Sequence, residues 1–306
     1  MKYVEKNGYK ISSMTLGTVQ LGLNYGVNNS HGMPSYEESA DILNTALELG
    51  IKSFDTARSY GESELVLGKF FSTTDKEKTL ISKTMITGID KSALKDKLFS
   101  DVRESLDRLG IEKLPFLKLH NESMLIEYGD TMIRALNDLK AEGLVDGVGV
   151  SFSDKSRMTE LCDGAGFDCV QLPANMLDND VLIDGSIEKL WREGTVVFVR
   201  SLYLQGLFFK DVTTLPEKIK CAETPLRRLH TLANEAGISM AQMAVTFVRD
   251  CNGISSLLLG CDNPTQLRES VSLIDAPSLA SGIRDEIIRI SRETPSIVIR
   301  PWDWNK

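Results

Sequence analysis

The chain reads as an α/β protein, a closed (β/α)8 barrel of the TIM type with an N-terminal β-hairpin and an extra C-terminal helix. Three observations predict this. Apolar runs of strand length alternate eight times with longer amphipathic segments, the order of a parallel barrel rather than an open sheet. No linker, low-complexity stretch or repeat divides residues 1–306, so one domain is expected. Polar side chains close three successive strand-like runs, which would gather them at one end of such a barrel.

The elements follow in order. The opening YVEKNGYKIS carries Asn7-Gly8 between two short runs, the signature of a hairpin. Strands are expected over residues 14–17, 51–54, 79–83, 116–120, 145–150, 169–172, 196–200 and 256–259. Helices are expected over 36–49, 64–71, 91–109, 131–142, 155–161, 187–193, 225–251 (broken at Gly237) and 264–274. A further helix over 283–292 precedes the tail. Val102, Leu106 and Leu109 are spaced to bury one helix face.

Composition narrows the function classes. With 306 residues, 42% hydrophobic and 25% charged, the chain has the balance of a soluble globular protein with a sizeable core. A net charge of −8 without a basic run argues against a nucleic-acid partner. No apolar stretch reaches spanning length and MKYVEKNGYK does not read as a signal peptide, so no membrane association is expected and the location expected is cytoplasmic. Five cysteines without CxxC and three histidines argue for reduced thiols and no metal. His31, in a polar loop, and His230, on a helix, read as solvated; Cys261 reads as a passive small side chain.

The chemistry concentrates in IKSFDTARSYG, residues 51–61, where Asp55 and Tyr60 fall just past a strand. LISK ends in Lys83 and FLKLH ends in His120. Taken singly, an Asp–Lys pair or a tyrosine after a strand is more often structural. Together, in this order and at strand ends, they read as one site.

DTARSYG, ISKT, LKLH, GVGVS, VQLP, LQGLF and LLLGCDNPTQL, in this order through nearly the whole chain, resemble the aldo-keto reductase family. The resemblance implies a barrel whose floor is plugged by the hairpin, and an NAD(P)H-dependent oxidoreductase that reduces an aldehyde or ketone. It implies a catalytic tetrad of Asp55, Tyr60, Lys83 and His120. Tyr60 would protonate the carbonyl oxygen as hydride arrives, Lys83 would lower the phenol's pKa, Asp55 would hold Lys83, and His120 would orient the carbonyl.

The resemblance also assigns a cofactor cleft for NADP(H) or NAD(H). Ser151 and Gln171 would hold the nicotinamide carboxamide, with Phe152 standing where relatives carry an asparagine. Arg200 would stack on the nicotinamide ring. Ser201, Leu202, Gln205 and Gly206 would follow the pyrophosphate. Gly260, Asp262 and Gln266 occupy the places where NADP-preferring relatives neutralise a 2′-phosphate, with Glu269 and Ser270 at the adenine. Asp262 disfavours that phosphate while Arg268, turned inward, would favour it, so the preference stays open.

Val19, Tyr25, Arg58, Ser59 and Asn121 match substrate-lining places, and their polarity suits a polar or sugar-like carbonyl compound. The loop 24–34, with Tyr25, Asn28 and His31, is expected to overhang the same face, and Trp302 and Trp304 either meet the pocket or pack on helices. Two alternatives remain: a dinucleotide-sensing regulatory subunit and, on the barrel alone, a Schiff-base lyase using Lys83. The substrate partner is a small molecule; oligomeric state is not legible.

Overall fold

The computed structural model describes residues 1–25 and 32–304. Among them ten strands are formed: β1 (Tyr3–Lys6), β2 (Tyr9–Ser12), β3 (Met14–Gly17), β4 (Ser53–Asp55), β5 (Thr79–Thr84), β6 (Leu114–Leu119), β7 (Val145–Ser151), β8 (Cys169–Pro173), β9 (Val196–Arg200) and β10 (Ser256–Leu259). The last eight close a parallel barrel in chain order, β10 pairing back onto β3. Their near-continuous apolar runs suit strands covered on both faces.

The hairpin forms as expected. Asn7 and Gly8 both take positive φ, 52° and 81°, which matches the twist a two-residue turn requires. Ile11 from β2 packs with Ile81, Phe116, Cys169, Val196 and Phe198, side chains that face the barrel interior. The hairpin thereby packs against the interior side chains at one end of the barrel.

Helices surround the barrel: α1 (Tyr36–Glu48), α2 (Ser63–Phe71), α3 (Leu94–Leu109), α4 (Ser123–Tyr128), α5 (Asp130–Ala141), α6 (Met158–Cys162), α7 (Asp180–Ile183), α8 (Ser186–Arg192), α9 (Glu223–Glu235), α10 (Met240–Arg249), α11 (Pro264–Ser272) and α12 (Ser281–Arg292). Local signals set their ends. Ser35 and Glu38 form a capping box on α1, Ser239 caps α10, and Asn263 caps α11 with Pro264 in the first turn. The break at Gly237 separates α9 from α10, and α12 is the extra C-terminal helix.

Five strands differ in bounds from the expectation: β5, β7 and β8 each run one residue further, and β4 and β6 shift at both ends. The segment expected over 51–54 pairs only from Ser53 and extends to Asp55, because Gly17 and Ile81 are the partners of Asp55 in the flanking strands. The run expected over 116–120 begins at Leu114 and ends at Leu119. The His120 amide still donates to Thr84 O at 2.8 Å, so the residue is held at the strand end. The short helices α4 and α7 and the 3-10 turns over 204–222 carry too little apolar periodicity to be read from sequence.

Candidate active site at the C-terminal mouth

The β4–α2 loop sets the first two residues. Asp55 ends β4, 1% exposed, and the chain then turns so that Tyr60 N–H donates to Ala57 O at 3.0 Å. This loop lies against the segment after β3 with almost no clearance. A Cβ at Gly22 would stand 1.9 Å from Tyr60 O, and one at Gly61, whose φ is 52°, would stand 2.2 Å from Gly22 O. Arg108 of α3 donates to Gly61 O and pairs at 3.2 Å with the wholly buried Glu64, which accepts from Ser82 Oγ at 2.6 Å. Glycine on both sides and a buried ion pair beneath thus fix where Tyr60 sits.

Lys83 projects from β5 beneath this loop. Its ammonium donates to Asp55 Oδ1, to Thr56 O at 2.8 Å and to Tyr60 Oη at 3.5 Å. The His120 ring stands edge-on to Tyr60 with centroids 5.5 Å apart, and its Nδ1 lies 3.2 Å from Ser59 Oγ. The four residues expected to form a tetrad are therefore adjacent.

Burial decides their protonation. It pushes His120 down to about 4, helped by the Lys83 charge, so the imidazole is neutral across the physiological range. Asp55 is desolvated too, yet Lys118 and Lys83 outweigh that cost and hold its carboxyl below the ordinary value. Tyr60 departs from expectation. Desolvation and the Asp55 charge raise it to about 12, with Arg200 and Lys118 only partly offsetting them. The expected depression does not occur, because burial, the largest cause, and the Asp55 charge outweigh the neighbouring cations. The phenol is a proton donor at rest.

Lys118 is a site residue that sequence reasoning passed over. It is wholly buried and donates to Asp55 Oδ2 and Gln171 Oε1. The signal was present: a lysine inside the apolar run FLKLH, two residues before His120, must share that histidine's face of the strand.

The residues expected to meet the cofactor run on from this cluster. Ser151, the last residue of β7, is the register partner of Gln171 in the middle of β8, and each is 2% exposed. Arg200 ends β9, donating to Phe152 O at 3.0 Å and Ser201 Oγ at 3.2 Å. Beyond it the backbone is strained: Ser201, Leu204 and Gln205 have φ of 64°, 47° and 53°. Such clusters persist where a ligand-binding loop demands them. Gln205 is exposed and Gly206 half-exposed, while the Leu202 side chain lies in the core and leaves only its backbone for a ligand.

Gly260 is exposed after β10, and a Cβ there would stand 2.5 Å from the Gln20 amide. Gln20 Oε1 is itself buried without a hydrogen-bond partner among the described residues. A stranded acceptor of this kind costs about 1–3 kcal/mol, which a hydroxyl-bearing ligand in the cleft would relieve. A dinucleotide fits this donor and acceptor set. Gln20 was not singled out from sequence, since a glutamine after a strand carries no local signal.

Two of the side chains expected at an adenosine already have partners of their own. Gln266 Oε1 accepts from Asp262 N–H at 2.8 Å, closing the first turn of α11. Arg268 points away, pairing at 3.0 Å with Glu48 of α1, and both are exposed. Asp262 is half-buried; Glu269 is exposed and Ser270 half-buried on α11.

The expected substrate residues divide. Ser59 and Tyr25 are at the mouth, Tyr25 within electrostatic reach of Tyr60 and Arg200. Val19 is half-buried in the turn after β3, and Asn121 is held by Ser153 Oγ at 3.2 Å and by Ser123 N–H. Arg58 is turned outward onto α3, donating to Glu104 at 2.7 Å and Asp101 O at 3.2 Å, because acidic groups there outcompete the mouth. Asn28 and His31 fall outside the described residues. Trp304 Nε1 donates to Ile297 O at 3.0 Å, so this ring packs on its own segment, while Trp302 is exposed.

Comparison with known proteins decides the family. Residues 13–282 match the model of the Aldo/keto reductase family. The chain belongs to that family. As an aldo/keto reductase it is an NAD(P)-dependent oxidoreductase acting on carbonyl compounds. It is 24% identical to the NADH-specific methylglyoxal reductase of Escherichia coli (strain K12), over 87% of this chain and 90% of the relative. It is 22% identical to pyridoxal 4-dehydrogenase of Microbacterium luteolum, again over 87% and 90%. Among solved structures, the aldo-keto reductase of Bacillus halodurans in its holo form superposes with a TM-score of 0.77 at 20% identity, over 98% of this chain and 99% of that one. Among the described residues, no helix is long and apolar enough to cross a membrane.

Proposed function

We propose that this aldo/keto reductase reduces a small, polar aldehyde or ketone, with Tyr60 giving the proton to the carbonyl oxygen. The observation that carries the reading is the contact of Lys83 with Asp55 and Tyr60 beside a neutral His120. A dihydronicotinamide held by these residues would supply the hydride. As charge develops on the oxygen, Tyr60 Oη transfers its proton and is left as a phenolate next to the Lys83 ammonium, which stabilises it. His120, uncharged, orients the carbonyl by a hydrogen bond. Asp55 keeps Lys83 in place.

Ser151 and Gln171 would bind the carboxamide, and Arg200, Ser201, Gln205 and Gly206 would line the rest of the cleft toward Gly260 and Asp262. Gln20 supplies an acceptor nearby. A polar substrate is supported by Ser59, Tyr25 and Arg200 around Tyr60 and by relatives named for methylglyoxal and pyridoxal. The lyase alternative gains nothing, since the Lys83 amine is 1% exposed and already donates to its neighbours.

Parallel titration with NADH and NADPH, followed by a carbonyl panel with the tighter cofactor, tests the reading. Saturable binding with turnover of short polar carbonyls is expected. Long alkyl aldehydes outperforming every polar compound would overturn the substrate class. Tight dinucleotide binding without turnover would move the chain to the sensing alternative.

A further inference from the structure

Lys118 has no task in that scheme, yet its placement is demanding. Parallel pairing of β5 with β6 sets Lys83 directly beside Lys118, both within 1% of full burial. One carboxylate separates them: Asp55 gives Oδ1 to Lys83 and Oδ2 to Lys118. Two buried cations on one anion is an arrangement that stability alone disfavours, since an apolar side chain would fill the same layer without desolvation. The remaining contacts of Lys118 Nζ are Gln171 Oε1 and the Phe198 ring, whose centroid is 4.7 Å away.

We propose that Lys118 is a positioning residue that fixes which end of the Gln171 amide faces the nicotinamide. This rests on the reductase reading of the mouth. An ammonium can only donate, so the group of Gln171 that meets Lys118 is the oxygen. The amide NH2 is then the end left for the mouth, and Gln171 acts there as a donor toward the carboxamide oxygen. Without Lys118 the freed Asp55 Oδ2, bonded to the same ammonium, favours the flipped amide, which turns its NH2 inward and presents an acceptor to the mouth. Asp55 anchors Lys118, so the acid cluster and the carboxamide-binding edge share one scaffold.

The test is a double-mutant cycle read by dinucleotide binding, with turnover measured alongside. Lys118→Met is expected to weaken binding about tenfold, the loss of one oriented hydrogen bond. In a Gln171→Ala background the same change is expected to cost less than about twofold, because the residue it acts through is gone. A purely structural lysine would cost the same in both backgrounds, and that result, or no loss at all, overturns the proposal. If Lys118→Met does not fold, Gln171→Glu decides independently. It keeps the partner of Lys118 but removes the donor, so affinity is expected to fall as far as in Gln171→Ala. Wild-type affinity in Gln171→Glu refutes the donor assignment. A wild-type protein that binds no dinucleotide ends the reductase reading and this inference together. Binding by the wild type with no coupling in the cycle ends this inference alone.

Discussion

Lys83 and Lys118 stand opposite each other in adjacent parallel strands and divide the two oxygens of Asp55 between them. Like charges in facing positions repel; the shared carboxylate is what lets both remain in the barrel. Tyr60 is not acidified because burial raises the phenol most, and the Asp55 charge, although twice paired, adds to it.

Tyr60→Phe removes the proton donor and leaves the packing. Carbonyl reduction is expected to fall at least about 10²-fold, the usual contribution of general acid catalysis. Dinucleotide affinity, measured by fluorescence titration, is expected to stay within about twofold. Retained turnover would refute the acid assignment.

His120 links folding to pH. Its folded-state value is about 4 against an ordinary 6.5, so the unfolded chain binds the extra proton between these values. Stability from this group is therefore complete above about pH 6.5 and is lost as pH falls toward 4. Urea midpoints from pH 7 to 4.5 are expected to fall less steeply in His120→Asn than in the wild type. Parallel slopes would show that His120 is not buried neutral.

Gly22→Ala tests how Tyr60 is placed. The added methyl would lie 1.9 Å from Tyr60 O, backbone that cannot yield without moving the loop. Turnover is expected to drop more than about tenfold, since small displacements of a reacting group are costly. Cofactor binding is expected to change little. Unaltered kinetics would mean that the loop tolerates a shift.

Asp262→Arg addresses the adenosine end. Arg268 pairs with Glu48 of α1, and both are exposed. Replacing an anion by a cation at the half-buried position 262 is expected to shift the NADPH:NADH affinity ratio toward NADPH by about tenfold at low salt. An unchanged ratio would place Asp262 away from the ribose.

How far the chain could be read follows from the range of each signal. Asn7-Gly8, the capping residues Ser35 and Asn263, the break at Gly237 and the eight apolar runs are local, and each acts within a few residues of itself. The strand-end positions of Asp55, Tyr60, Lys83 and His120 follow from that alternation, because a parallel barrel brings all its strand ends to one mouth. Family motifs then named the chemistry. The barrel, its strand order and the family were legible in the sequence alone. The tertiary structure decided which groups share partners. Strand register put Lys118 against Asp55 and Gln171; packing of loops and helices turned Arg58 onto Glu104, drew Arg268 to Glu48 and, among the described residues, left Gln20 Oε1 without a donor. Protonation belongs to the same level. The states of Tyr60 and His120 are sums over burial and charges from several strands and loops, and no local stretch of sequence contains those sums.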